Sequence, residues 1–167
     1  KKAFAFDVSA ACAGSIYALA VADRFVTSGA VKNALVLGAD TLSRICDWQD
    51  RNTCILFGDA AGAVLLEPAT DGTGLLDYAH EVDGSGARFL YMPGGGSLHP
   101  PTHETVDQKL HALRQDGGHV FKYAVRKFAD ASAALLARNG FTGDDLDVFL
   151  PHQANVRIIE AAQHRLG

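Results

Sequence analysis

The sequence has 167 residues, 48% of them hydrophobic and 20% charged, with a formal net charge of −4. That length and apolar share suffice for a core of about one domain, and the acidic balance lacks the basic footprint that nucleic acid would need as main partner. No apolar run reaches the ~18 residues of a membrane span, no signal-peptide pattern opens the sequence, and three cysteines without a C-x-x-C read as reduced thiols in a cytoplasm-like compartment.

Taken in chain order, Ala3 to Val8 is short, apolar and aromatic, the composition of a buried strand, and Asn33 to Gly38 is a second such run. Between them Ile16 to Ala22 is apolar all round, which predicts an interior helix rather than an amphipathic one. Ser9 is its cap candidate, and the small residues Ala10, Ala11, Ala13 and Gly14 allow another segment or a substrate close to the backbone. Cys12 stands at this turn, where the positive end of a helix favours thiolate. Two readings follow for it: a nucleophile, or a small core hydrophobe.

Thr41 to Asn52 is a polar loop, followed by the apolar Ile55 to Phe57, a glycine turn and a buried strand at Ala63 to Glu67. The GDAAG stretch, Gly58 to Gly62, lacks the Lys-Ser/Thr ending of a phosphate loop and is expected as a tight turn near the active site. Pro68 to Gly74 is the most linker-like segment. From Gly84 to Gly118 the chain is loop-rich, with Gly94, Gly95 and Gly96 in a row before Pro100 and Pro101, and reads as an active-site cover or a surface excursion. His99, His103, His111 and His119 do not make a metal site, because the prolines bar a helix aligning the first two and no nearby cysteine completes a zinc spacing.

Val120 to Arg138 is amphipathic, with Phe121, Ala124, Val125, Phe128, Ala131 and Leu135 on one face and Asn139-Gly140 as its end. Thr142 opens a short turn carrying Asp144 and Asp145. Asp147 to Leu150 reads as a strand, ended by the PHQAN of Pro151 to Asn155, with a helix from about Ala154 to Leu166. His152 therefore sits at a strand-to-helix turn, far from Cys12 in sequence, as a base is from its nucleophile in a folded site. Taken alone it is an ordinary histidine, and Asn155 a helix-start amide.

Four stretches carry a resemblance. DVSAACAGSIYAL resembles the nucleophile motif, and FLPHQANVRII the histidine motif, of the beta-ketoacyl-[acyl-carrier-protein] synthase III family, the initiating condensing enzymes of type II fatty-acid synthesis. CDWQDRNTCILFGDAAGAVLLEP is similar to its DR-T-FGDGAGA segment, and GGHVFKYAVRKF to its G-x-x-VFK helix start. Elongating synthases use two histidines where the initiating type uses Cys, His and Asn. Chalcone-synthase-like and hydroxymethylglutaryl-CoA-synthase-like enzymes, and relatives recruited to secondary metabolism, are weaker alternatives.

The resemblance implies an α/β chain of the thiolase-type fold, layered α-β-α-β-α when complete. Residues 1–71 would end its N-terminal half and residues 72–167 begin its C-terminal half. It also implies an internal fragment, with the catalytic asparagine and an oxyanion glycine past Gly167, so that the isolated chain would be inactive. Cys12 and His152 would be catalytic. Arg51 would pack on the adenine of CoA, Gly117 and Asn155 would border the pantetheine arm, and Phe121 would be a tunnel aromatic. Acyl-CoA and malonyl-carrier protein would be the substrates, with no cofactor and no metal, in a cytoplasmic homodimer. Lys122 and Arg126, at i and i+4, with Arg157 and Arg165 on the next helix, would dock the acidic acyl carrier protein. A non-catalytic acyl-carrier-binding fragment is the rival class. The chain departs from the family pattern at Gln115, Asp116 and His119, where apolar and acidic residues are usual.

Overall fold

The computed structural model describes residues 2–166. The described residues divide into two compact units, the first made of residues 2–40 and 60–80, the second of residues 41–59 and 81–166.

In the first unit, helix α1 (Gly14–Thr27) follows a 3-10 turn at Ala11–Ala13. Strands β1 (Ala34–Thr41) and β2 (Asp59–Leu66) pair in a two-stranded sheet, most of which belongs to this unit. α1 stops at Ser28, whose N–H reaches Arg24 O, and Gly29 turns the chain with φ of +74°. Its buried face is Ala20, Ala22, Asp23 and Val26, and Asp23 is paired with Arg24. The expectation of a helix buried all round is corrected, since Ile16 is 51% exposed. Apolar composition states that a face seeks cover, not which element supplies it. Ala3 to Val8 is not a strand either: among the described residues the ladders join β1 to β2 and two further short strands, and none takes in this segment. Its aromatics dock on α1 instead, Phe4 and Phe6 lying 5.6 and 6.2 Å from the Phe25 ring.

β1 covers all but the first residue of the strand expected at Asn33 to Gly38, with Val36 buried while Leu35 and Leu37 face outward, the period of two that a strand imposes. β2 starts four residues before the expected Ala63. It takes in most of the GDAAG stretch as extended chain rather than a tight turn, and is exposed except at Leu66. Small residues at 60–63 fit a strand as readily as a turn, and only the partner strand decides.

The second unit holds β3 (Leu90–Tyr91), α2 (His103–Asp107), β4 (Arg114–Gln115), α3 (Gly117–Arg138) and α4 (Val156–Leu166). β3 and β4 are antiparallel, Leu90 opposite Gln115 and Tyr91 opposite Arg114. α3 packs on α4, with Ala129, Ile158 and Ala162 all at most 5% exposed, and the two small alanines let the helices approach. Asn139 closes α3, its amide donating to Leu135 O, and Gly140 takes φ of +76°, the left-handed residue that ends a helix. The Thr142–Asp145 capping box follows where the sequence placed a turn. The face of α3 differs at one position: Ala131 is exposed and Ser132 continues the half-buried row, because 3.6 residues per turn carry Phe128 to 132 rather than 131.

The loop-rich segment 84–118 is tied down by short elements. Leu113 N donates to Ile45 O at 2.8 Å, and Lys109 Nζ reaches Asp47 at 3.2 Å. Gly94 is required here, since a Cβ on it would lie 2.8 Å from Leu110 Cβ. Asp147 to Leu150 is not a strand, and Val148 and Leu150 are 68% and 84% exposed, because no ladder partner stands beside them among the described residues.

Candidate active site

Cys12 is exposed and lies in the middle of the 3-10 turn, before α1 rather than inside its first turn. Ala11, immediately ahead of it, has φ of +46°, a left-handed conformation that costs a residue with a Cβ about 1–2 kcal/mol. Such strain presents the next side chain at the apex of a sharp turn. Ser9 does not cap: Ala10 and Ala13 occupy the cap positions of the turn and of α1, neither with a side-chain hydrogen bond. The turn's own carbonyls serve there instead, Ala13 N donating to Ala10 O at 3.1 Å and Gly14 N to Ala11 O, so the start of α1 carries no side-chain cap.

His152 is exposed on irregular chain between Pro151 and Gln153, whose amide folds back to Pro151 O. α4 begins at Val156, two residues later than expected, because Asn155 Oδ1 accepts Arg157 N at 2.9 Å and thereby starts the helix. Asn155 thus spends its carbonyl on the backbone and keeps its NH2 for another partner. Arg157 and Arg165 are exposed on α4, and Arg165 Nη2 is engaged by Asp130 Oδ1 at 2.7 Å.

Arg51 is exposed on a turn that its neighbours fix. Asp50 accepts Asn52 N at 3.0 Å and Thr53 Oγ1 at 3.0 Å, and Thr53 is fully buried. The Asn52 N–H, then the Thr53 hydroxyl, hold the Asp50 carboxyl below the usual carboxylate range. Trp48, three residues earlier, is 67% exposed on the rim of a cavity of about 350 Å³ that also touches Cys46, Val106 and His111.

The amino-terminal turns of α3 gather four of the expected residues. Gly117 is the first helical residue, and a Cβ on it would meet nothing nearer than Gln115 Nε2 at 3.9 Å. Phe121 lies on the half-buried face. Lys122 and Arg126 line one cavity of about 620 Å³ with Asp83, Phe89, His119 and Tyr123, so the i, i+4 pair does share a side. Cys12 belongs to the first unit, and Arg51, Gly117, Phe121, His152 and Asn155 to the second. Sequence reasoning did not single out the strained Ala11 or Phe89. The Ala-Ala-Cys-Ala-Gly run gives no signal of a left-handed residue, whereas Asp116 three residues before His119 could have been read as a helix cap. Among the described residues no group of three His, Cys, Asp or Glu side chains could hold a metal ion, and no helix is long and apolar enough to cross a membrane.

Residues 6–84 match the 3-oxoacyl-[acyl-carrier-protein (ACP)] synthase III family, and residues 136–167 match the C-terminal part of the same family. The beta-ketoacyl-[acyl-carrier-protein] synthase III of Koribacter versatilis is 53% identical over 98% of this chain and 50% of its own length, and that of Desulfitobacterium hafniense strain DCB-2 is 50% identical over 100% and 50%. This chain thus spans about half the length of the curated relatives it matches. Among solved structures, beta-ketoacyl-[acyl-carrier-protein] synthase III from Thermus thermophilus superposes with a TM-score of 0.85 at 40% identity, covering 99% of this chain and 50% of that one. The priming beta-ketosynthase of the R1128 polyketide pathway gives 0.83 at 37%, covering 96% and 47%. These neighbours place the chain in the thiolase-type fold. Two matched segments in the family's own order, joined to near-complete coverage by its relatives, lead to one conclusion: the chain belongs to the 3-oxoacyl-[acyl-carrier-protein] synthase III family.

Proposed function

We propose that this chain is the part of an initiating condensing enzyme that carries its nucleophile and its catalytic histidine. The observation that carries the reading is Cys12, exposed behind a strained residue and ahead of a helix end with no side-chain cap. In the complete protein Cys12 Sγ attacks the thioester carbonyl of an acyl-CoA primer, the tetrahedral intermediate collapses, CoA leaves as its thiol and acyl-Cys12 remains. Malonyl-carrier protein then loses CO₂, and the resulting enolate carbon attacks the acyl-Cys12 carbonyl. The C–S bond to Cys12 breaks, the thiolate is regenerated, and a 3-oxoacyl-carrier protein departs. An N–H of the His152 imidazole donates to the malonyl thioester oxygen as it gains charge, beside an asparagine that the resemblance sets further along the family's sequence. The Cys12 backbone N–H serves the oxyanion of the acyl-transfer steps.

Binding follows the same assignment. Arg51 packs on the adenine, Gly117 and Asn155 border the pantetheine arm, and Phe121 lines the acyl tunnel. The segment 84–118 covers the site, and Lys122, Arg126, Arg157 and Arg165 meet the acidic carrier protein. The division into halves at residues 1–71 and 72–167, a cytoplasmic homodimer, the absence of a cofactor and the inactivity of the isolated 167-residue chain belong to this reading. The likeness to a polyketide priming ketosynthase favours a second reading, in which the same reaction primes a secondary-metabolic carrier.

The test is condensation of acyl-CoA with malonyl-carrier protein by the full-length protein. The reading requires turnover by the wild type and its loss in Cys12→Ala and His152→Ala. Condensation that survives Cys12→Ala removes it, and turnover only with a polyketide-pathway carrier selects the second reading.

A further inference from the structure

Gln115, Asp116 and His119 form one physical unit with Phe89. Gln115 pairs with Leu90 in the β3–β4 ladder. The next residue, Asp116, donates its N–H to Phe89 O at 2.8 Å. Its carboxylate turns the other way, Oδ1 accepting His119 N at 3.1 Å as the cap of α3 and Oδ2 meeting His119 Nδ1 at 2.8 Å. The imidazole lies flat on the Phe89 ring, centroids 4.1 Å apart and planes 6° from parallel. The ring of contacts is closed: Phe89 backbone to Asp116 backbone, Asp116 side chain to His119, His119 ring to Phe89 ring.

We infer that His119 is a positioning residue, which clamps the first turn of α3 to the Gly84–Phe89 turn and so sets where Gly117 and Phe121 stand. The inference rests on the reading that these two border the pantetheine arm and the acyl tunnel. Gly117 has no side chain to anchor it, and a Cβ in its place would meet nothing nearer than Gln115 Nε2 at 3.9 Å, so its position is set by the residues on either side. Asp116 precedes it and His119 follows it. A capping carboxylate alone orients the backbone of the first turn, whereas the stacked imidazole adds a second, directional attachment to a different segment. An acidic residue at 119 would instead set a second carboxylate beside Asp116, and could neither donate to it while ionised nor stack on Phe89. The clamp therefore needs histidine and aspartate together.

The experiment measures steady-state kinetics of the full-length protein with acyl-CoA and malonyl-carrier protein for His119→Ala, His119→Phe, His119→Asn and Asp116→Asn. His119→Phe keeps the stack and drops the bond to Asp116, and His119→Asn keeps an N–H donor and drops the stack. His119→Ala should raise KM for both substrates about 5- to 30-fold while kcat changes by less than about twofold, the pattern of lost substrate binding. His119→Phe and His119→Asn should each recover part of that loss, and they carry the test if the alanine variant does not fold. KM values within about twofold of wild type in all four variants, beside an active wild type, overturn the clamp alone. A fall confined to kcat overturns it too, since it would place His119 in the chemistry. A wild type without condensation activity overturns the functional reading and the clamp with it.

Discussion

Arg165 Nη2 lies 2.7 Å from Asp130 Oδ1, so the cation near the end of α4 is engaged with α3, whereas Arg157, two turns earlier on α4, makes no ion pair among the described residues. Both partners of the bridge are about half exposed, and such pairs contribute about 0–1 kcal/mol. The two arginines should therefore separate in a docking assay. Arg157→Glu should lower kcat/KM for malonyl-carrier protein, and more at low than at moderate ionic strength, because rim charges act through association. Arg165→Glu should change it less. Equal effects of the two variants, or none from Arg157→Glu at either salt level, would remove α4 from the docking surface.

The three thiols should differ in reactivity. Burial, and then the neighbouring Cys54 and Asp59, push the Cys46 thiol up, and its Sγ also donates to Leu42 O at 3.3 Å. A raised acid group stabilises the fold fully below the ordinary thiol range and loses that contribution as pH rises through the raised value. Site-resolved iodoacetamide labelling should find Cys12, the exposed thiol, fastest, Cys54 intermediate and Cys46 slowest, with Cys46 gaining rate only in alkali. Cys46 labelling at neutral pH as fast as Cys12 would contradict the burial described.

Asp50 frames Arg51, and its depressed carboxyl gives the sign of the pH effect. The turn is stabilised above the ordinary carboxylate range and loses that support as pH falls through the lowered value. Asp50→Ala should raise the pH of acid unfolding. At neutral pH it should raise KM for acyl-CoA about three- to tenfold with little change in kcat, as Arg51 loses its setting. A KM unchanged by Asp50→Ala but raised by Arg51→Ala would mean that the arginine acts without its frame.

Ala11 is held at φ of +46°. Ala11→Gly should be neutral or stabilising by up to about 1 kcal/mol, while Ala11→Val should cost more than about 1 kcal/mol, since a β-branched side chain resists this conformation most. Denaturant unfolding of the full-length protein reads both. Equal stability of the glycine and valine variants would contradict a strained turn ahead of Cys12.

Several local signals in the sequence were accurate. The closing Asn139-Gly140, the Thr142–Asp145 box, β1 and the shared side of Lys122 and Arg126 all depend on residues at most four apart or on a simple period. Most of the expectations that failed needed a distant partner. Ala3 to Val8 and Asp147 to Leu150 have the composition of strands, yet a strand exists only where another chain segment accepts its hydrogen bonds, and composition does not name that segment. Ser9 has the chemistry of a cap, but the left-handed Ala11 moves the helix start to Gly14. The candidate site residues stand in motifs that the sequence shows on its own. Their supports, Asp50 beside Arg51 and the His119 stack on Phe89 beside Gly117, depend on contacts that appear only in the folded chain.

The central claim is that Cys12 carries the acyl group, and intact-mass analysis with peptide mapping tests it most directly. Full-length protein incubated with acyl-CoA should gain one acyl mass on the Cys12 peptide and lose it when malonyl-carrier protein is added. His152→Ala should acylate more slowly and keep its adduct after that addition, because the malonyl enolate lacks its hydrogen-bond donor. An adduct on Cys46 or Cys54, or an acyl mass that persists in Cys12→Ala, would contradict the account.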